Sequence, residues 1–280
     1  MNRVLMATCL LLAAGAAQAQ FRMPNLDVGR MLDSAKNLGK ATKDIGQDEE
    51  IAIGRDLAAT LLGAAPLVND ARMQTYVNNV GRWIAAQSER PDLPWQFGVL
   101  DAPQLNAFAV PGGTIFITRG LLERMRSEAE LAGVLGHEIV HVVKKHHLKA
   151  IQKGAATALA GDALSMAVKN KNAGANDKLV SFGKEMYARG LDKGDEFEAD
   201  RLGIVYAARA GYDAYGLPTV LQTLQAMNAQ DSGLALMFKT HPAPGDRLEQ
   251  LGEKMQPTLD ANASQPQLAE RFRSQVPASK

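Results

Sequence analysis

Gly136-His137-Glu138-Ile139-Val140-His141 has the form His-Glu-x-x-His, and the rest of the chain is read outward from it. Two imidazoles four residues apart lie about 40° apart around a helix, so both reach one metal ion from the same side. Glu138 projects beside them, where a carboxylate takes a proton from a water molecule that the metal polarises. Ser127-Glu128-Ala129-Glu130 reads as a capping box followed at once by an apolar run, which starts the helix near Ser127. Leu131, Val134, Leu135 and Val142 form its apolar stripe, and Glu138 falls inside it. A carboxylate in a buried stripe is costly without a partner. A plain core gives no reason for it; a zinc site does.

A chain of 280 residues can bury a substantial core, read as one catalytic domain with extensions. Its net charge of +1, with scattered basic residues, leaves no nucleic-acid footprint. Low aromatic content and abundant alanine favour a helix-rich fold. The single cysteine, Cys9, excludes disulfides and thiolate–metal sites from the rest of the chain. Residues 1–19 read as a signal peptide: Arg3, an apolar stretch from Val4 to Ala17, and Ala17-Gln18-Ala19 as a small-x-small cleavage site. Export to a bacterial periplasm is the expectation, with no transmembrane segment in the mature chain.

Residues 20–46 are polar with weak structural signals and read as an N-terminal arm; residues 47–256 read as the catalytic domain. Asp48 to Leu62 looks helical. Asn69 and Asp70 start a second helix whose Met73, Tyr76, Val77, Val80, Trp83 and Ile84 follow the 3.6-residue period. Trp95 to Leu100, Leu105 to Val110 and Thr114 to Thr118 read as strands, the last two joined by Pro111-Gly112-Gly113 into a hairpin. Gly112 suits a turn position that needs a positive φ. The segment 155–186 has low signal and suits either a lid or a plain surface loop. Residues 257–280 are polar and read as a flexible tail.

Zinc needs a third protein ligand, with a fourth position open for catalysis. The candidate lies in Asp195-Glu196-Phe197-Glu198-Ala199-Asp200. Glu196, Ala199, Asp200, Gly203 and Ala207 share one helical face, and its small residues would let this helix approach the first closely. Asp200, one turn beyond Glu196, suits a hydrogen bond from a ligand histidine. Glu198 points elsewhere and suits the helix dipole; taken alone, an acidic helix start is the simpler explanation of the whole cluster.

With these motifs together, the chain resembles zinc metallopeptidase family 48. The resemblance rests on His137-Glu138-x-x-His141 with Glu196-Phe197-Glu198-Ala199-Asp200-Arg201, and runs from about Asp48 to Arg247. It implies Glu196 as third ligand of one zinc ion per chain, with His137 and His141. It implies that Asn106-Ala107-Phe108-Ala109-Val110-Pro111-Gly112-Gly113 contains the substrate-binding edge strand, with Asn106, Ala107, Phe108 and Ala109 as contacts. Thr240-His241-Pro242 and Arg247 match the family's His-Pro…Arg element, which places His241 near the zinc. There it either stabilises the tetrahedral intermediate or occupies the open metal position at rest; Arg247 as electrostatic support favours the former. His146 and His147, after Lys144-Lys145, read as a solvated or helix-end cluster.

The expectation is an α+β, mostly helical zincin-type domain of the gluzincin kind, with a small β-sheet edging the cleft. The expected activity is zinc-dependent endoproteolysis in the cell envelope, with Glu138 as base and Asp200, His241 and Arg247 in support. By analogy with the family, the substrates are unfolded or misassembled envelope proteins, and a peripheral association with the membrane or with outer-membrane assembly is compatible. The alternatives are a periplasmic chaperone-like protein using the same cleft and a zinc hydrolase of non-peptide substrates. Glu138 argues against binding alone.

Overall fold

In the computed structural model, the described residues are 45–158, 191–227, 234 and 237–277. The signal peptide, nearly all of the N-terminal arm and most of the 155–186 segment lie outside them. The order is α1 (Gln47–Ala64), α2 (Ala71–Ala85), β1 (Gln96–Leu100), β2 (Ala107–Val110), β3 (Thr114–Thr118), α3 (Arg119–Leu122), α4 (Glu128–Val143) and α5 (His146–Ala158). Then follow α6 (Lys193–Arg209), α7 (Gly216–Gln225), α8 (Met237–Thr240), α9 (Pro244–Ala261) and α10 (Ala269–Gln275). The protein is mostly helical with one three-stranded sheet, as the sequence led us to expect. No described helix is long and apolar enough to cross a membrane.

The sheet order is β1-β3-β2, with β1 parallel and β2 antiparallel to β3. The β2–β3 hairpin closes through Gly112 at φ +81° and Gly113 at φ +104°, backbone that other residues enter only at a cost. β2 is therefore an edge strand, yet all four of its residues are buried. Phe108 and Val110 pack with Phe116 and Leu100 on one face; Ala107 and Ala109 join the main core on the other.

α4 is the axis of the molecule. Ser127 caps it by accepting from the Glu130 N–H, while the Glu130 carboxylate reaches back to the Arg126 N–H. The sequence suggested a one-sided stripe; instead all sixteen residues of α4 are buried, because α2, β2, α6 and α7 pack around it. The buried Glu128 carboxylate, at its first turn, takes hydrogen bonds from Tyr76, Tyr212 and Arg271. Burial, followed by the bond to this carboxylate, pushes both tyrosine hydroxyls far up, so they stay protonated donors.

Several expectations change. Trp83 was placed in the buried stripe of α2 but is 56% exposed, its indole N–H donating to the Ala210 carbonyl. α4 stops at Val143, and Lys145 at φ +59° turns the chain into α5. The expected loose tail is ordered through residue 277. α9 runs past 256 to Ala261, and α10 seats Phe272 in the core. Its polar composition hid one buried ring and one arginine with a long-range partner.

Candidate active site

Two helices make the site, and two glycines let them touch. A Cβ on Gly136 would stand 2.5 Å from the Gly203 carbonyl oxygen, and one on Gly203 2.5 Å from the His137 backbone nitrogen. This backbone contact between α4 and α6 brings Glu196 and Asp200 against His137 and His141. The buried face of α6 includes Glu196, Ala199, Asp200, Gly203 and Ala207.

The donor atoms converge. His137 Nε2 and His141 Nε2 are 3.0 Å apart, and the two Glu196 oxygens stand 3.7 Å and 3.5 Å from them. His241 Nε2 adds a fourth atom 3.9 Å from Glu196 Oε2, and all four ligand atoms lie within 4.8 Å of one another. Donors around a tetrahedral ion with bonds of ~2.0–2.1 Å stand roughly 3.3 Å apart, so the spacing suits zinc.

Proton positions, assigned from the hydrogen-bond network, sharpen this fit. His137 Nδ1 is 2.8 Å from Asp200 Oδ1, so its proton sits there and Nε2 carries a lone pair. His141 Nδ1 is engaged with His146 Nδ1 at 3.0 Å. Among the described residues, both oxygens of buried Glu196 lack any hydrogen-bond partner. Ligand atoms from three side chains thus face one another. Burial holds His137 and His141 in the neutral form and pushes the Glu196 carboxyl well up. A divalent cation answers all of these at once.

Glu138 lies beside these groups, fully buried, its pKa pushed up to about 8 by desolvation against the pull of Arg247 and a backbone hydrogen bond from Ala109. The strand register explains that bond. Thr118 N–H donates to the Asn106 carbonyl, so in the alternating antiparallel pattern Ala107 and Ala109 turn their backbone groups away from β3. The Ala109 N–H, expected to meet substrate, is aimed at Glu138. Asn106 is fully buried, its N–H held by Thr118 Oγ1, and its side-chain Nδ2 has no partner among the described residues. Burial raises Asp200, but Arg247 overcomes this and holds it well below the usual carboxylate range.

Arg247 was expected to support His241. Its direct partner is Asp200, met by Nε at 2.8 Å and Nη2 at 2.5 Å. The arginine thus clamps the carboxylate that orients His137. His241 is held by Thr240, whose Oγ1 lies 2.9 Å from Nδ1.

Two readings of the neighbouring residues are refined. His146 begins α5 but is buried rather than solvated, and Glu198, expected to serve the helix dipole, binds it. The His147 ring lies tilted by 32° against that of His141, centroids 4.9 Å apart, and burial presses its pKa down to about 3. The sequence also gave no sign of an apolar pocket beside Glu138, lined by Leu121, Val134, Leu217, Leu221, Leu224 and Met237. Its residues come from α3, α4, α7 and α8, and only the fold assembles them.

Comparison with known proteins agrees with this geometry. The model of peptidase family M48 matches residues 71–255. The chain is 32% identical over 216 residues to the beta-barrel assembly-enhancing protease of Yersinia pestis, covering 72% of this chain and 43% of that one. The putative beta-barrel assembly-enhancing protease of Vibrio cholerae is 30% identical over 240 residues, 80% of this chain and 49% of that one. The mitochondrial metalloendopeptidase OMA1 of Schizosaccharomyces pombe is 32% identical over 184 residues, 64% of this chain and 52% of that one. The chain spans about half the length of the curated relatives it matches.

Proposed function

The chain belongs to peptidase family M48, and from that premise we propose that it is a zinc-dependent endopeptidase of the bacterial cell envelope that cleaves misfolded or unassembled exported proteins. The observation that carries the chemistry is the convergence of ligand atoms from His137, His141 and Glu196, buried and facing one another. The envelope setting rests on the signal-like residues 1–19 and on relatives named for β-barrel assembly.

His137, His141 and Glu196 would hold one zinc ion, which supplies Lewis acidity toward a carbonyl and an adjacent water. Asp200, clamped by Arg247, fixes the proton of His137 on Nδ1 and keeps Nε2 aimed at the site. Glu138 takes a proton from the attacking water and returns it to the leaving amine. Its raised pKa suits both duties, since a base near neutrality accepts and releases protons at comparable driving force. The apolar pocket next to Glu138 suits an aliphatic or aromatic side chain beside the scissile bond, which unfolded proteins expose and folded ones bury. Asn106 Nδ2, buried just before β2 and without a partner among the described residues, suits a substrate carbonyl.

The test is metal content of the purified chain together with casein cleavage before and after chelation and zinc return. Stoichiometric zinc with chelator-sensitive, zinc-restored cleavage is the expected result. A metal-loaded chain that binds unfolded protein without cutting it would make the cleft a holding site instead.

A further inference from the structure

The two histidines that face Glu196 are supported from behind in different ways. His137 Nδ1 meets a buried carboxylate directly, Asp200 at 2.8 Å. His141 Nδ1 meets a third histidine, His146, whose Nδ1 is 3.0 Å away. His146 Nε2 in turn lies 3.0 Å from Glu198 Oε2 and 3.5 Å from Asp195 Oδ1. His146 is only 1% exposed, so its polar atoms depend on these partners, while the Glu198 side chain is 39% exposed at the protein surface.

The bend after α4 creates this contact. On a continuous helix a residue five positions on points about 140° away around the axis. Lys145, in left-handed backbone at φ +59°, breaks α4 and folds His146 back onto the outer nitrogen of His141. α6 then brings Glu198 from the other side. Only one arrangement of protons satisfies both contacts while leaving His141 Nε2 as an acceptor. His141 Nδ1–H donates to His146 Nδ1, and His146 Nε2–H donates to Glu198.

We propose that His146 and Glu198, with Asp195 beside them, are the positioning relay of His141. They commit its proton to Nδ1, fix its ring plane, and pass the polarisation of an acidic pair to the ligand nitrogen through a second imidazole. Asp200 does the same for His137 without an intermediary. This rests on the metallopeptidase reading above and assigns the relay no contact with substrate.

The experiment measures zinc dissociation constants by chelator competition on the full chain, with the visible spectrum of the cobalt-substituted protein as second readout. His146→Ala should bind zinc about 10- to 100-fold more weakly than wild type and shift the cobalt spectrum, with unchanged circular dichroism. His146→Gln, whose amide oxygen can accept from His141 Nδ1–H, should recover part of the loss. Glu198→Ala combined with Asp195→Ala should weaken zinc, whereas Glu198→Gln combined with Asp195→Asn, which keeps acceptor oxygens in place, should weaken it less. A folded His146→Ala chain with wild-type affinity and spectrum overturns the relay. Should that variant not fold, wild-type affinity in both acidic double variants overturns it instead. A wild-type chain that binds no zinc sinks the metallopeptidase reading itself, a separate outcome read in the same titration.

Discussion

Gly203 on α6 lies so close to His137 on α4 that a Cβ there would stand 2.5 Å from the His137 backbone nitrogen. The atoms in the way are backbone, which cannot swing aside. Gly203→Ala should therefore push the helices apart, cost about 1–3 kcal/mol of stability, and weaken metal binding because Glu196 rides on the displaced helix. Denaturant titration and zinc competition check this. Unchanged stability and affinity would mean that the two helices tolerate a wider crossing.

Glu138 is assigned proton transfer and no metal contact. Glu138→Gln should lower kcat by at least about 10²–10⁴-fold while zinc content stays at the wild-type level. Glu196→Ala should lose the metal as well as the activity. Comparison of zinc content and turnover across the pair separates the two roles, and a Gln variant that still cuts would remove Glu138 from the mechanism.

His241 places Nε2 3.9 Å from both Glu138 Oε1 and Glu196 Oε2. Thr240 Oγ1, whose own hydrogen has the Met237 carbonyl 3.2 Å away, engages Nδ1. With the Thr240 hydroxyl hydrogen assigned to the Met237 carbonyl, the His241 proton sits on Nδ1 and Nε2 keeps a lone pair, which suits capping a metal and cannot donate to an oxyanion. Arg247, which had favoured the oxyanion role, is committed to Asp200. His241→Ala should raise basal cleavage of an unfolded substrate several-fold. A fall of about 10²-fold or more would restore the oxyanion role.

The Ala109 N–H serves Glu138 and takes no part in the β2–β3 ladder. Ala109→Pro removes that donor without removing a bond to β3. The variant should fold and keep zinc, with kcat falling by roughly 10-fold, the order of one lost hydrogen bond to a charged group. A rise in KM at constant kcat would instead mean that this N–H meets substrate. Global unfolding would show that the covered edge has no room for the ring.

The C-terminal helix holds the core through Phe272 and reaches α4 through Arg271 and Glu128. Phe272→Ala should cost about 3–5 kcal/mol, as for a fully buried ring. Arg271→Ala strands part of a buried carboxylate and should cost less, since Tyr76 and Tyr212 still donate to Glu128. Thermal melts of the two variants check the ranking, and wild-type melting of Phe272→Ala would detach α10 from the fold.

The sequence alone determined the parts of this protein that are local in the chain. The spacing of His137, Glu138 and His141 is a property of one helix, as is the shared face of Glu196, Asp200 and Gly203. The positive φ at Gly112 belongs to one turn. A 3.6-residue period and a few backbone constraints reach these without any long-range contact. Only the tertiary structure decided what stands behind the ligands. Whether His146 is solvated depends on one left-handed residue, Lys145, and on a carboxylate 52 positions away. Arg247 meets Asp200 across 47 residues, and Arg271 meets Glu128 across 143. Composition made those charges look like ordinary surface, because a charged side chain carries no mark of its partner. Burial between packed helices selects that partner, since a desolvated charge persists there only when another chain segment brings its complement.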